Sequence, residues 1–404
     1  MKKWLVLPAD IFVDYIDNTM LLYNTTTFSS RIITNRNAIE LISELRIPKN
    51  LGSIESTSKR IQILEIDKLI SDDFVKIIEN LEKPIVFLPI MNLQHDLDKD
   101  NINSTLSNMA FKTQLISGIF ICLNLPFTSV STKIDSDRDN AIRQSLISGI
   151  SGISGNYQSN ISFSDLDNIF SSLSITSIVN VDLILDMSNI QDASLLKLAE
   201  IANKYDYMIR LHSFIDGTDI NNIFAILNQC HKIKLFLYYD RHTKCFNHEL
   251  ADRLYAKYKD LLVINKFLYT ENDIIESDII NLIPVFSKEG MLLFKNNVFL
   301  TPQDIFNNHV SMKEIMRNKK INANFFGLLD ITPDGKIYPH GGIKSIGNIF
   351  KENYLLNAIT RELIENNSWR ITRDKTACHN CCFRYICPSV SIVELLFPNL
   401  KICL

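Results

Sequence analysis

The sequence lacks any apolar run approaching the roughly 18 residues needed to cross a bilayer as a helix, so no membrane-spanning segment is expected. It also lacks an excess of either charge. Lys and Arg number 42 against 45 Asp and Glu, a net charge of −3, and no polybasic field exists to follow nucleic-acid phosphates. No GxGxxG follows the first strand-like run, which argues against a dinucleotide-binding sheet. No HxxxH or HExxH spacing joins His95, His212, His231, His242 and His248, so these read as surface or core histidines. The opening stretch begins like a secretory signal, but Pro8, Asp10 and Asp14 interrupt it before an apolar core forms. The expectation is a cytoplasmic protein without membrane or nucleic-acid partners, in which thiols stay reduced.

What the sequence does have is cysteine in one place. Five of its eight cysteines lie in the last 27 residues: Cys378, Cys381, Cys382, Cys387 and Cys403. The set Cys378, Cys381, Cys387 and Cys403, with spacings of two, five and fifteen residues, suits four thiolates closing one metal or iron–sulfur site. Cys382 adjoins Cys381 and is expected to point elsewhere. Cys122, Cys230 and Cys245 are scattered singly.

The chain is long enough for two or three domains, with ordinary globular contents of 46% apolar and 22% charged residues. Residues 1–82 read as a small unit. A hairpin over Met20–Asn24 and Arg31–Thr34 is followed by a helix over Arg36–Arg46, a strand over Ile61–Ile66 and a short helix over Asp72–Leu81, together a winged-helix-like module. Residues 83–321 change rhythm. Apolar, β-branched runs at Gly118–Leu125, Ile178–Leu185, Met208–Phe214, Ile233–Asp240, Leu261–Leu268 and Asn281–Phe286 alternate with helical patterns such as Ser194–Tyr205 and Asn247–Lys257. That alternation predicts an α/β fold of parallel βαβ units, a partial or full β/α barrel. The evenly spaced Gly149, Gly152 and Gly155 read as a loop. From residue 322 to 404 a hairpin around Pro333-Asp334-Gly335 and a helix over Asn353–Asn366 lead into the cysteines.

The Pro-Asp-Gly hairpin, the Ile346-Gly347-Asn348-Ile349 segment, the helix and the CxxCxxxxxC tail resemble the SPASM domain that extends radical SAM peptide-maturing enzymes. The β/α barrel upstream is the fold such enzymes use. The module over residues 1–82 resembles the PqqD-like elements that recognise precursor leaders. The resemblance implies that Cys378, Cys381, Cys387 and Cys403 ligate an auxiliary [4Fe–4S] cluster; read from ligand type alone, Zn²⁺ fits the same residues. The other auxiliary site of that family is missing its ligands: no Cys lies over Lys319–Phe325, and His340 stands five residues after Gly335 where a Cys is expected. His340 and His379 are alternative or outer ligands, with His340 read as an inert replacement; Ser391 occupies a further Cys position.

The SAM-binding machinery of the family is also absent. No CxxxCxxC occurs, and the register starting at Cys122 places Pro126 and Ser129 where two thiolates belong. The Gly-Gly-Glu expected after the second strand is replaced by Leu185-Asp186-Met187-Ser188-Asn189. The whole chain, including the Lys83–Leu93 segment, resembles pseudo-radical-SAM/SPASM proteins of Bacteroidales peptide-maturation systems. This implies an accessory protein that binds the precursor leader or a radical SAM maturase, with no SAM site and no catalytic residue assigned. Two alternatives stay open: an enzyme with SAM-independent chemistry at the barrel mouth, where Asp240-Arg241-His242 and Asp186 end strands, and a zinc-stapled structural protein. For residues 1–82, strand addition of a leader to the hairpin edge and a structural cap are both open.

Overall fold

All six apolar runs become parallel strands of one sheet. The computed structural model describes residues 1–56, 63–86, 113–123, 133–146, 161–185, 192–214, 228, 231–243, 246 and 248–403. Residues 1–86 carry β1 (Lys2–Val6), β2 (Ile11–Ile16), β3 (Thr19–Asn24), β4 (Ser30–Ile33), β5 (Ser53–Glu55) and β6 (Lys76–Asn80). They form two three-stranded sheets, ordered β5-β1-β6 and β2-β3-β4. The expected hairpin is β3–β4, and the expected helix spans Arg36–Leu45, capped by the Asn35 side chain and burying Ala38, Ile39, Leu41, Ile42 and Leu45. Two expectations are corrected. Of the expected Ile61–Ile66 strand, residues 61 and 62 lie outside the described residues, and from Leu64 the chain is instead a helix over Leu64–Ser71, because Ile66 and Leu69, one helical turn apart, are the buried pair. The Asp72–Leu81 helix is replaced by β6, which gains a five-residue antiparallel ladder with β1.

The large sheet contains β7 (Gly118–Cys122), β8 (Asn180–Ile184), β9 (Met208–Phe214), β10 (Ile233–Tyr239), β11 (Leu262–Leu268), β12 (Ile280–Pro284), β13 (Leu328–Ile331), β14 (Lys336–Pro339) and β15 (Gly347–Asn348). Its order is β12-β11-β10-β9-β8-β7-β13-β14-β15. β7 to β12 are parallel and sequential neighbours, and the Phe163–Leu173, Asp192–Lys204 and His248–Tyr258 helices that follow β7, β8 and β10 pack on one face. That face is the main core. Ile119, Ile121, Val181, Leu183, Ile209, Leu211, Leu235 and Leu237 pack with Leu166, Ile169 and Phe170 of the Phe163–Leu173 helix, and with residues of the Asp192–Lys204 and His248–Tyr258 helices. Each fully buried aliphatic side chain here contributes about 1.5–3 kcal/mol. Among the described residues β12 and β15 remain the two edges of this sheet, with no pairing between them.

The Pro-Asp-Gly hairpin does more than turn. β13 pairs in parallel with β7 while β14 runs antiparallel to β13, so the segment after residue 321 continues the sheet of the segment before it. Two glycines permit this. Gly335 takes φ +77° in the turn, and Gly327, at φ +83°, brings the chain so close to β7 that a Cβ there would lie 2.2 Å from the Leu115 carbonyl oxygen. Behind the hairpin, Trp369 is buried and donates its indole N–H to the Leu328 carbonyl at 2.9 Å. The Glu362 carboxylate, on the Tyr354–Glu365 helix, accepts from the backbone N–H groups of Asn367, Ser368 and Trp369 and holds that loop in place.

Trp369→Ala removes the largest fully buried side chain and leaves the Leu328 carbonyl with only the His340 N–H of its two donors. Urea unfolding is expected to show a loss of about 3–5 kcal/mol; a loss below about 1 kcal/mol would contradict this account of the core.

Candidate functional site

The four expected ligands converge on one place. Cys378, Cys381, Cys387 and Cys403 all line a cavity of ≈ 130 Å³, together with Arg373, Arg384 and a surround that includes Leu300, Phe306 and Phe383. Cys382 does not line it, as its adjacency to Cys381 implied. Residues 376–391 contain turns and bends but no helix or strand, so side-chain contacts set their shape. Cys403 is brought in by a parallel bridge between Leu300 and Cys403, with Leu300 N–H donating to the Ile402 carbonyl at 2.6 Å. The thiols feel one another: burial pushes Cys387 up to about 12, Arg373 opposes the rise, and Cys381, Cys378 and Cys403 add to it. Burial likewise raises Cys403, reinforced by Cys378 and Cys381. Among the described residues no group of three or more His, Cys, Asp or Glu forms a ready metal-ion site; the thiols surround a space without meeting at a point.

One buried ion pair supports this cavity. Arg373 and Glu394 are 3% and 2% exposed, with Arg373 Nη1 2.8 Å from Glu394 Oε1. The same nitrogen donates to Cys378 Sγ at 3.6 Å, and Arg373 Nε donates to the Pro388 carbonyl. Glu394 also accepts from Ser391 N–H at the start of the Ile392–Leu396 helix, where Ser391, at the vacant Cys position, is the N-cap. His379 is exposed, its ring nitrogen meets the Thr376 carbonyl and its own carbonyl accepts from Arg384, and it does not line the cavity.

The second polar constellation was not anticipated. Alternation along the strands places Phe120, Asp182, Arg210 and Asp330 side by side across β7, β8, β9 and β13, on the face opposite the main core. His212 Nε2 lies 2.8 Å from Asp182 Oδ1 and its Nδ1 2.8 Å from the Tyr238 hydroxyl, while Arg210 pairs with the other Asp182 oxygen at 2.5 Å. His340, expected to be inert, is buried with Nδ1 2.7 Å from Asp330 Oδ1 and its ring stacked on Phe120 at 4.7 Å. That expectation is corrected: a buried Asp330 needs a paired donor, and His340 provides it. Burial pulls the His340 imidazolium down, but the charge and hydrogen bond of Asp330, with Asp182 behind it, outweigh that and raise it above 6.5. The sequence signal was present as Arg210 and His212 alternating in an otherwise apolar strand.

The carboxyl ends of the strands, where open α/β sheets place ligands, are filled by the chain itself. The Lys133–Ser145 helix lies there, its Ala141 and Ile142, with Leu146, packed on Cys122, Ile184, Phe214, Tyr238 and Phe267. Gln144 bonds both the N–H and the carbonyl of Phe286, at 2.6 and 2.9 Å. Arg241, one of the expected mouth residues, pairs with Asp137 of that helix at 3.5 Å, and His242 lies 3.8 Å from the same carboxylate. Asp240 accepts from its own loop, at His242 N–H and Thr243 Oγ1. Asp240-Arg241-His242 thus joins the loop to the helix. Cys122 is wholly buried and its thiol is raised by burial and by Asp330. Asp186, Cys230, Cys245, Pro126, Ser129, His95, the three-glycine segment and Met91–Leu93 lie outside the described residues.

No family model matches the chain, and no curated protein matches it.

Two outcomes follow from these groups. Arg373→Met leaves Glu394 buried and unpaired, so a loss of about 3–5 kcal/mol in chemical denaturation is expected, with partial recovery when Glu394→Gln is added; no recovery would contradict the pairing. Because His340 titrates above its ordinary 6.5, its imidazolium stabilises the fold fully below pH 6.5 and that contribution disappears as pH rises through the folded value. The urea midpoint should fall over that rise in the natural protein and stay flatter in His340→Gln. Identical pH slopes in the two proteins would refute the assignment.

Proposed function

We propose that this chain is a non-SAM-cleaving accessory protein in the maturation of a ribosomally synthesised peptide, and that it binds the precursor leader, its radical SAM maturase, or both. The observation that carries the reading is Cys122. It stands alone at the carboxyl end of the first parallel strand, where a radical SAM enzyme presents three thiolates, and it is sealed beneath Ala141 and Ile142. An open iron site there lacks both its ligands and its space. In this reading the parallel sheet is a degenerate radical-SAM-like β/α barrel, residues 322–404 are SPASM-like, and residues 1–82 are the leader-recognising module. The protein works in the cytoplasm, where its thiols stay reduced.

The tail residues fit a metal group: four thiols and no carboxylate line the cavity, with Arg373 beside Cys378. Four sulfurs spread around a space of ≈ 130 Å³ suit a [4Fe–4S] cluster better than a single Zn²⁺, which draws its sulfurs to about 2.3 Å from one point. Such a group, fully ligated by Cys378, Cys381, Cys387 and Cys403, supplies structural stiffness or electron transfer. The chain's own part is to hold four thiols together and to exclude water with Leu300, Phe306 and Phe383.

One observation favours a second reading, SAM-independent chemistry: the Asp182–His212–Tyr238 chain is a hydrogen-bonded acid–base array. It is weaker because Tyr238 is packed beneath the Lys133–Ser145 helix.

Anaerobically purified protein is expected to be brown, with iron and sulfide in equal amounts and little zinc. With SAM and a strong reductant it should release no 5′-deoxyadenosine, and it should retain the precursor leader or the maturase in a pull-down. Deoxyadenosine formation, or binding to neither partner, would overturn the proposal; a change of precursor mass caused by this protein alone would favour the second reading.

A further inference from the structure

We infer that filling the tail cysteine site builds the seat on which the β2-β3-β4 sheet docks, so that this part of the N-terminal module is held on the loaded protein and released from the empty one. The inference rests on the reading above that Cys378, Cys381, Cys387 and Cys403 hold a metal group.

Its first support is the composition of the contact. Phe12, Leu21 and Tyr23 of β2 and β3 are buried in one apolar cluster with Tyr385, Ile386 and Cys387, and Cys382 and Cys403 pack against it. Phe12 meets the Tyr385 ring edge-on at 6.4 Å. Beside Ile305, Val310, Ile315 and Met316 of the 302–318 segment, a ligand cysteine and its immediate neighbours are therefore part of the floor under the sheet. That floor has no helix or strand of its own over residues 376–391. In a segment without a backbone ladder, metal binding contributes its free energy directly to folding, and the part of the seat made by Tyr385, Ile386 and Cys387 lasts only while the loop keeps its shape.

Charge gives a second, independent support. Arg384 lines the cysteine cavity and reaches into the N-terminal module, where its Nη2 lies 3.1 Å from Asp14 Oδ2 on β2, with the side chains only 15% and 10% exposed. Lys319 stands over the Tyr385 and Phe12 rings at 5.1 and 5.8 Å, and it and Arg46 both feel the Asp14 charge. Three cations thus share one carboxylate at this junction. Four thiolates outweigh the charge of the metal they bind, so a filled site is net negative and balances the excess.

The test is amide hydrogen exchange on the full chain, purified anaerobically and compared with the same protein after chelation, with iron, sulfide and zinc counted in both. Chelation is expected to speed exchange in β2 and β3 by at least about tenfold while β8 to β10 stay protected. Two variants separate loading from packing. Cys378→Ser, which changes a cavity-lining thiol outside the N-terminal cluster, should lose both the metal and the protection of β2 and β3. Cys382→Ser, which touches that cluster but not the cavity, should keep both. Loaded and chelated proteins with equal β2 and β3 protection would overturn the inference and leave the cofactor reading intact. A protein that binds neither iron nor zinc would overturn both.

Discussion

The buried pair of Arg373 and Glu394 joins parts of the chain that share no sheet. Arg373 touches Cys378 and the Pro388 carbonyl, which fixes the cysteine loop, and Glu394 caps the Ile392–Leu396 helix. That helix packs against the Lys133–Ser145 helix over the carboxyl ends of the parallel strands. Next to it, the Phe397 ring meets Phe286 at 4.9 Å with the planes tilted by 60°, and Phe286 is the residue whose backbone Gln144 holds. A charge pair this deeply buried adds little net stability over an apolar substitute, yet breaking it is costly. Its consequence is that the cysteine loop and the filled strand ends share one support, and a change in either is felt at Glu394.

The parallel sheet explains why the strand ends had to be filled. Its core face is mainly aliphatic, but its other face carries Asp182, Arg210, His212 and Asp330. Carboxylates buried at 2% and 0% exposure are tolerable only with donors in contact, and each has one: His212 and Arg210 for Asp182, His340 for Asp330. His340 comes from beyond β14, so the hairpin that extends the sheet also neutralises the charge that β13 carries. Toward the carboxyl ends the same face turns apolar at Ile184, Phe214 and Phe267, and the Lys133–Ser145 helix covers it. Among the described residues these ends offer an aromatic floor with Ala141 and Ile142 on top.

Much of this was legible beforehand. The six strands appear as β-branched runs because burial on both faces demands them, and the hairpin at Gly335 follows from its turn residues. The cysteine spacing identified the four thiols that share a cavity. The Lys133–Ser145 helix was not legible: among KIDSDRDNAIRQS few residues are apolar, and its placement depends on Gln144, Asn140 and Asp137 meeting Phe286 and Arg241, residues more than ninety positions away. Local alternation misassigned Ile61–Ile66, and β6 became a strand only through β1, some seventy residues earlier. Asp182 and His212 lie thirty residues apart and meet through strand register, so neither carried a motif. His340 was read against a pattern of ligands when its role came from Asp330, ten residues before it.

The placement of Asp14 constrains how the N-terminal module sits. A simple cap would meet the cysteine segment with apolar side chains alone, as Phe12, Leu21 and Tyr23 do. Asp14, with its side chain 10% exposed, adds desolvation that burial alone makes unfavourable, and burial does raise its carboxyl despite Arg384 and Lys319. Such a group contributes orientation more than energy, because shifting β2 by one residue in its pairing with β3 would turn Asp14 to the opposite face and leave Arg384 without this carboxylate. Tyr23 fixes the same placement from the side, its hydroxyl accepting from Val310 N–H at 3.0 Å. The module is therefore held in one register against the loop that carries the thiols, and what happens to that loop bears directly on how β2 and β3 are presented.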